Sequence, residues 1–311
     1  MLDAKIGRYL DKTCPSLKGK RVLVLGATGS IGGAAALELL YCGCSLVCAY
    51  RSERRRHELE GRIAAFCEEE KISPDVRYAR VDLSDFAYVR AFAEEFPSRY
   101  GTVDCVLNCA GVYHLPSQKN ADGQDIHVAT NVLSAVILCD LFAQNGAVRE
   151  KWLNTGSLSC LFSDRKAGNV LDGEERNKTK LYAATKRLLA EYTCESGKSS
   201  GFRTALAHPG ISATSLFSEE KGGFSRSFQK WIFPLMKRVF PSPERAALNL
   251  LYALAHDSAD GCWTGPAVFG VWGKPKTSRL AAGVTKDAEE DVKKLRAAVS
   301  DYLGKGTEEK N

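Results

Sequence analysis

The stretch Arg21-Val22-Leu23-Val24-Leu25-Gly26-Ala27-Thr28-Gly29-Ser30-Ile31-Gly32-Gly33-Ala34-Ala35-Ala36-Leu37-Glu38-Leu39-Leu40 decides the fold. A branched apolar run reads as a strand, a glycine-rich turn follows, and an Ala/Leu run reads as a helix. Glycines at such a junction allow a tight turn, let the backbone approach a pyrophosphate and let the helix pack on the strand, with the phosphate at the helix N-terminus. The turn alone fits any tight corner; the strand before it and the helix after it favour a nucleotide. Gly26, Thr28, Gly29, Ser30, Ile31 and Gly32 therefore form a candidate cofactor loop.

The same rhythm continues outward. Strand candidates cover 21–25, 45–50, 76–81 and 103–107, with later ones beginning near Trp152, Arg203 and Ala267. Helix candidates begin near Ile31, Glu53, Asp85, Asp122, Thr179 and Pro243. This alternation, with right-handed crossovers, predicts an α/β fold: a single-domain, doubly wound, Rossmann-type parallel sheet flanked by helices. The domain is expected over 20–305, after an N-terminal extension at 1–19 and before a polar tail at 306–311. From 215 to 241 the rhythm breaks into aromatic and basic residues around Gly222-Gly223, which reads as a substrate lid inserted over a site.

Apolar residues make up 44% of the sequence and charged ones 26%, the balance of an ordinary globular protein that can build a sizeable core. The formal net charge of +6 comes without a basic tail or an RNA-binding signature, so no nucleic-acid partner is expected. The start lacks a secretory signal, and the apolar run after Asn131 is broken by Asp140, so no transmembrane segment is expected and the reading is soluble and cytoplasmic. Eleven cysteines scattered through strands and helices fit buried thiols in a reducing compartment. Cys42, Cys44 and Cys48 alternate into a strand without a paired histidine motif, so no metal site is expected.

Three more loops fall at the carboxyl ends of strands, where open α/β sheets bind ligands. Tyr50-Arg51-Ser52 follows the second strand. A carboxylate there would repel a 2′-phosphate, whereas the forked guanidinium of Arg51, with Ser52 beside it, can hold one, which favours NADP(H). Arg54-Arg55-Arg56 reads as a solvated helical turn that adds positive potential. Asp82-Leu83 follows the third strand; Asp82 could accept from an adenine amino group, or Asp82 or Ser84 could cap a helix. Asn108-Cys109-Ala110-Gly111 follows the fourth, where small Ala110 and Gly111 would let a nucleotide lie against backbone, or simply make a turn.

Tyr182-Ala183-Ala184-Thr185-Lys186 lies in a helical pattern, so the phenol and the ammonium share a face. A cation beside a tyrosine favours the phenolate, so Lys186 is expected to lower the Tyr182 pKa and fit it for proton transfer. Such a spacing is by itself common on surface helices and carries no reaction geometry. Ser157 ends the fifth strand and could hold a substrate oxygen, with Ser159 as its rival and a plain turn serine as the bland alternative. Asn131 interrupts an apolar helix stripe; it is either a buried structural amide or the organiser of a proton-carrying water near Lys186.

Taken in this order, the glycine turn, Asn-x-Ala-Gly, the strand-end serine and Tyr-x-x-x-Lys resemble the short-chain dehydrogenase/reductase family over residues 20 to 270. The resemblance implies a catalytic tetrad of Asn131, Ser157, Tyr182 and Lys186, with Tyr182 and Lys186 also at the cofactor and Lys186 on the nicotinamide ribose. It places Pro209, Gly210 and Thr214 against the nicotinamide carboxamide. The long segment between Ser157 and Tyr182, His208-Pro209-Gly210 and an amphipathic lid resemble the retinol dehydrogenase-like branch, which implies NADP(H) and bulky apolar alcohols or carbonyls. Ser30 departs from that branch, and the G-x-x-G-x-x-G spacing resembles the extended, sugar-nucleotide branch. Two alternatives therefore stay open: a nucleotide-sugar epimerase or dehydratase, against which Arg51 weighs, and a nonenzymatic NADP(H)-binding regulator. The lid leaves peripheral membrane contact open. A homodimer through the Asp122 and Thr179 helices is implied by resemblance alone.

Overall fold

The sheet grows from β1 (Arg21–Leu25), which pairs in parallel with β2 (Ser45–Tyr50) on one side and β4 (Val103–Asn108) on the other. A computed structural model describes residues 2–113, 115–116, 118–163, 167–171, 177–198, 200–211, 240–258 and 261–308. Its eight strands run in the order β3-β2-β1-β4-β5-β6-β7-β8. The remaining strands are β3 (Val76–Arg80), β5 (Val148–Thr155), β6 (Arg203–Ala207), β7 (Cys262–Val268) and β8 (Trp272–Arg279), and every neighbouring pair is parallel except β7 with β8. Val22 through Leu25 are wholly buried, as a sheet covered on both faces requires.

Two helical layers do the covering. α1 (Ala4–Thr13), α2 (Ser30–Tyr41), α3 (Glu53–Glu70) and α7 (Pro243–Ala255) bury Leu10, Leu39, Ile63 and Leu250 on one face. α4 (Phe86–Tyr100), α5 (Ile126–Asn145), α6 (Lys178–Ser196) and α8 (Ala288–Glu308) bury Phe96, Phe142, Tyr192 and Leu295 on the other. α5 is long and apolar enough to cross a membrane, but it is largely buried in this second layer.

Several boundaries differ from the sequence reading. The polar opening contains α1, whose N-cap Asp3 accepts from the Lys5 and Ile6 amides and whose Ile6 and Leu10 are buried. The helix expected near Asp122 begins at Ile126, because Asp125 accepts from the His127 amide while Asp122 sits in a turn on Asn120. β5 begins at Val148, four residues before the expected Trp152, and takes in the charged run Arg149-Glu150-Lys151. The buried Lys151 ammonium donates to the Ala253, Leu254 and His256 carbonyls at the end of α7, which explains a lysine inside the sheet. β7 begins at Cys262, before Ala267; its pairing with β6 ends at Thr264, so Pro266 withholds no ladder bond on that side. The expected lid, except Phe240 and Pro241, and Thr214 lie outside the described residues.

Candidate active site

Strand order reverses between β1 and β4, which opens a crevice outside their carboxyl ends. A cleft of about 460 Å³ lies there, lined by Gly26, Thr28, Gly29, Arg51, Ser52, Asp82, Leu83, Ala110 and Gly111 from the expected cofactor set. Gly26 has φ +74°, and a methyl on it would stand 2.8 Å from the Ala110 nitrogen. A methyl on Gly32 would overlap the Gly26 carbonyl oxygen. Both glycines are thus needed for the turn to fold back against the β4 loop. Ser30 and Ile31 open α2, whose N-cap Gly29 supplies no side-chain cap, leaving the helix terminus to receive an anion. The residues present fit a dinucleotide.

Beyond β2 the cleft is positive. The Arg51 guanidinium stands 3.9 Å from an Asp82 carboxylate oxygen. That oxygen also accepts from the Ser84 amide at 3.0 Å and hydroxyl at 2.7 Å. Asp82 therefore shapes the loop, and the N-cap of α4 is Asp85 instead of Asp82 or Ser84. The three following arginines divide. Arg54 pairs with Glu58, and Arg56 pairs with Glu53 and Glu60 beneath Tyr50 and Tyr78. Arg55 lines the cleft, which corrects the reading of all three as a solvated turn. Its place in the first turn of α3, directly after the Tyr50-Arg51-Ser52 loop, was the available signal.

At the other end of the crevice the four expected catalytic residues converge from three elements. Asn131 sits in a five-residue π segment, Ala129–Leu133, inside α5. Its carbonyl accepts from the Val112 amide at 2.7 Å, and its amide donates to the Val112 carbonyl at 3.0 Å and the Thr185 hydroxyl at 3.2 Å. The wider turn aims this amide across to α6. A methyl on Gly111 would lie 3.4 Å from Asn131 Oδ1 and 3.6 Å from Lys186 Nζ, so both side chains border the same glycine. Asn108 supports the loop from below, donating to Asn154 and accepting from the Ala110 amide.

Ser157 lies two residues past the end of β5 and does not end the strand as expected; its hydroxyl favours the ionised form of the Tyr182 phenol beside it. Ser159 donates to Ser157 through its amide, at 3.2 Å, and its hydroxyl, at 2.9 Å, so the rival serine supports Ser157. The Tyr113 ring packs edge-on against Tyr182, with centroids 4.9 Å apart. Sequence reasoning missed Tyr113, which lies two residues past the Asn-x-Ala-Gly loop.

The electrostatics correct one expectation. Burial pushes the Tyr182 phenol up to about 12, only partly offset by Ser157, and Lys186 does not enter the balance. The Lys186 ammonium instead donates to the Thr155 carbonyl at 2.8 Å, and burial lowers its own pKa to about 8. In this arrangement Tyr182 is held as an acid, not as a phenolate.

Pro209 and Gly210 leave the end of β6 at the sheet's carboxyl edge. Gly210 has φ +77° and packs under the turn between β7 and β8, where a methyl would stand 3.0 Å from the Gly270 carbonyl oxygen. His208 is buried and its pKa falls to about 4, which keeps the imidazole neutral. A methyl on Gly265 would overlap its Nε2.

A sequence model of the short chain dehydrogenase family matches residues 20–161. The chain is 26% identical over 266 residues to polyprenol dehydrogenase of Mus musculus, covering 82% of this chain and 77% of that protein. It is 28% identical over 255 residues to retinol dehydrogenase 13 of Mus musculus, covering 77% and 73%. Among solved structures, an uncharacterised protein from Mycobacterium paratuberculosis superposes with a TM-score of 0.70 at 21% identity, over 94% of this chain and 96% of that one. A short chain dehydrogenase from Burkholderia cenocepacia in complex with NADP superposes with a TM-score of 0.57 at 20% identity, over 78% and 92%. These two likenesses bear on the fold.

Proposed function

We propose that the chain, which resembles the short-chain dehydrogenase/reductase family and its retinol dehydrogenase-like branch, is an NADP(H)-dependent oxidoreductase interconverting an alcohol and a carbonyl on a bulky apolar substrate. The observation that carries the reaction is Lys186, one turn from Tyr182 on α6, fixed to the end of β5 two residues before Ser157 and bordering Gly111 together with Asn131. Arg51 and Arg55 at the cleft support a 2′-phosphate, and the NADP complex of the structural neighbour agrees with that preference. The relatives' names, polyprenol and retinol dehydrogenase, support an apolar substrate.

The glycine turn and the α2 terminus would hold the pyrophosphate, and Arg51 and Arg55 the 2′-phosphate. When bound, NADP(H) supplies or accepts the hydride. In the reducing direction Tyr182, protonated across the neutral range, donates its proton to the carbonyl oxygen. Ser157 positions that oxygen and hydrogen-bonds the phenol as charge builds. Lys186 returns a proton towards Tyr182, and Asn131, bordering the same Gly111, organises the water that carries it. Oxidation runs the same proton path backwards.

The test is oxidation of NADPH and NADH in parallel against retinoid, steroid, aliphatic and aromatic carbonyls. NADPH-dependent turnover of an apolar carbonyl is expected, with Tyr182→Phe retaining NADPH binding and losing turnover. Preference for NADH would overturn the phosphate assignment, and a fully active Tyr182→Phe would remove Tyr182 from the reaction.

A further inference from the structure

Seven large apolar side chains stand exposed among the described residues, and six of them are Leu161, Phe162, Ile211, Val268, Phe269 and Trp272. They come from three separate elements: the short helix Leu158–Phe162 after Ser157, the segment after Gly210, and the hairpin joining β7 to β8. Those elements form one rim. A methyl on Gly270 would stand 2.8 Å from Leu158, and Gly210 packs under the same hairpin turn. The rim therefore flanks Ser157 on the carboxyl edge of the sheet.

Its aromatic tips stand out in solvent, where those of a small-molecule pocket line a cavity. Phe162 is 84% exposed on a single helical turn, and Phe269 is 88% exposed at the hairpin tip. Phe269 also has φ +51°, a left-handed conformation that a bulky residue adopts only under constraint. The fold thus holds an aromatic side chain outward against both solvent and backbone preference. Beyond the tip, Trp272, Lys274 and Lys276 alternate along β8, so they share one face of the sheet edge, and all three are exposed. Among the described residues neither lysine forms an ion pair. Projecting aromatics backed by uncompensated cations match a deformable partner with an apolar interior and an anionic surface.

We propose that this rim, centred on Phe162 and Phe269, docks the protein on an anionic lipid bilayer, with Lys274 and Lys276 against the headgroups. The proposal rests on the apolar-substrate reading above, because a substrate dissolved in the bilayer would meet the site at the edge where it opens. Docking reaches no deeper than the exposed tips, since the helices behind them are committed to the core.

Sedimentation with phosphatidylcholine vesicles, with and without phosphatidylserine, tests it, alongside NADPH oxidation by a small water-soluble carbonyl. The full chain is expected to pellet with the phosphatidylserine vesicles and to bind plain phosphatidylcholine on the order of tenfold more weakly at low salt. Phe162→Ser/Phe269→Ser should lose most vesicle binding and keep its turnover of the soluble carbonyl. Lys274→Gln/Lys276→Gln should lose the preference for phosphatidylserine. Vesicle binding undiminished in the Phe162→Ser/Phe269→Ser variant would overturn the proposal. So would a dimer, in the absence of lipid, that this variant dissociates, because a second copy would then be the occupant. Turnover without vesicle binding would sink the docking surface alone, and vesicle binding without turnover of any carbonyl would sink the reaction alone.

Discussion

The Lys186 ammonium donates to the Thr155 carbonyl at 2.8 Å, two residues before Ser157. One bond thus ties the helix that carries Tyr182 to the last residue of β5, just before the serine. Burial has brought this lysine down to about 8, so it is charged below that pH and neutral above it. Tyr182, at about 12, stays protonated throughout. Turnover in the reducing direction is therefore expected to fall as pH rises through about 8, when the proton supply and the Thr155 tie weaken together. Lys186→Met should abolish that limb and lower kcat by about 10²- to 10⁴-fold. A wild-type profile that stays flat well past that point would show that Lys186 does not titrate in the working enzyme.

Arg51 should set cofactor choice. Its guanidinium is exposed and stands 3.9 Å from Asp82, too far for a close pair, so it is available to a phosphate. Hydrogen bonds to charged groups contribute about 1.5–3 kcal/mol, so Arg51→Ala should weaken NADPH binding by roughly tenfold to a hundredfold. NADH binding should change little. Arg55→Ala should act in the same direction and more weakly, since it reaches the cleft from the first turn of α3, past the loop that carries Arg51. Fluorescence titration of both dinucleotides reads this directly, and an equal loss for both would assign the arginines to the pyrophosphate or to the loop instead.

The parts legible in the sequence were those with local signatures. The glycine turn after β1, the loop after β4 and the Tyr182/Lys186 spacing each depend on a few adjacent residues, and the doubly wound fold followed from alternation and handedness. What stayed hidden depends on distant partners. Nothing near Lys151 in sequence announces the Ala253, Leu254 and His256 carbonyls that it caps. The last expected strand start, near Ala267, fell five residues late, because Gly265 makes room for His208 and Pro266 lies beyond the β6 ladder, neither of which is visible in sequence. The Tyr182 pKa was misjudged for the same reason: sequence spacing gives the distance to Lys186, whereas burial and the pull of Thr155 are properties of the folded crevice.

Arg187 should matter as much as its catalytic neighbour, by a structural route. Its guanidinium donates to Glu191 at 2.8 Å and to the Ser163 carbonyl at 2.6 Å, just past the short helix that follows Ser157. The pair is nearly inaccessible to water, and burial pushes Glu191 up to about 7 even with Arg187 beside it, with Asp291 and Asp287 adding to the rise. Removing one partner of such a pair costs about 3–5 kcal/mol. Arg187→Met should therefore lower stability by that order, and Arg187→Met/Glu191→Leu should recover most of it. If the serine segment also loosens, kcat falls in Arg187→Met with NADPH binding kept. Denaturant unfolding of the single and double variants is the measurement, and an undiminished midpoint in Arg187→Met would mean that the pair adds nothing.

Glu38 gives the clearest pH test of stability. It is wholly buried on α2, and neither carboxyl oxygen has a hydrogen-bond partner among the described residues. Burial, reinforced by Glu244, holds its pKa well above the carboxylate range. For an acid whose folded pKa is raised, the unfolded chain releases the proton first. Folding is then most favoured below the unfolded value of about 4.3, and stability is lost as pH rises above it. Glu38→Leu keeps the side chain's approximate bulk and removes both the titration and the unsatisfied oxygens. At neutral pH it should raise the unfolding free energy by about 1–3 kcal/mol, the cost of a buried polar group without a partner. The gain should shrink as the pH is lowered towards the unfolded value, because wild-type Glu38 is then protonated in both states. Urea unfolding of both proteins at mildly acidic and neutral pH would check this; a less stable Glu38→Leu at neutral pH would mean that the carboxylate has a stabilising partner in solution and that its burial is no liability.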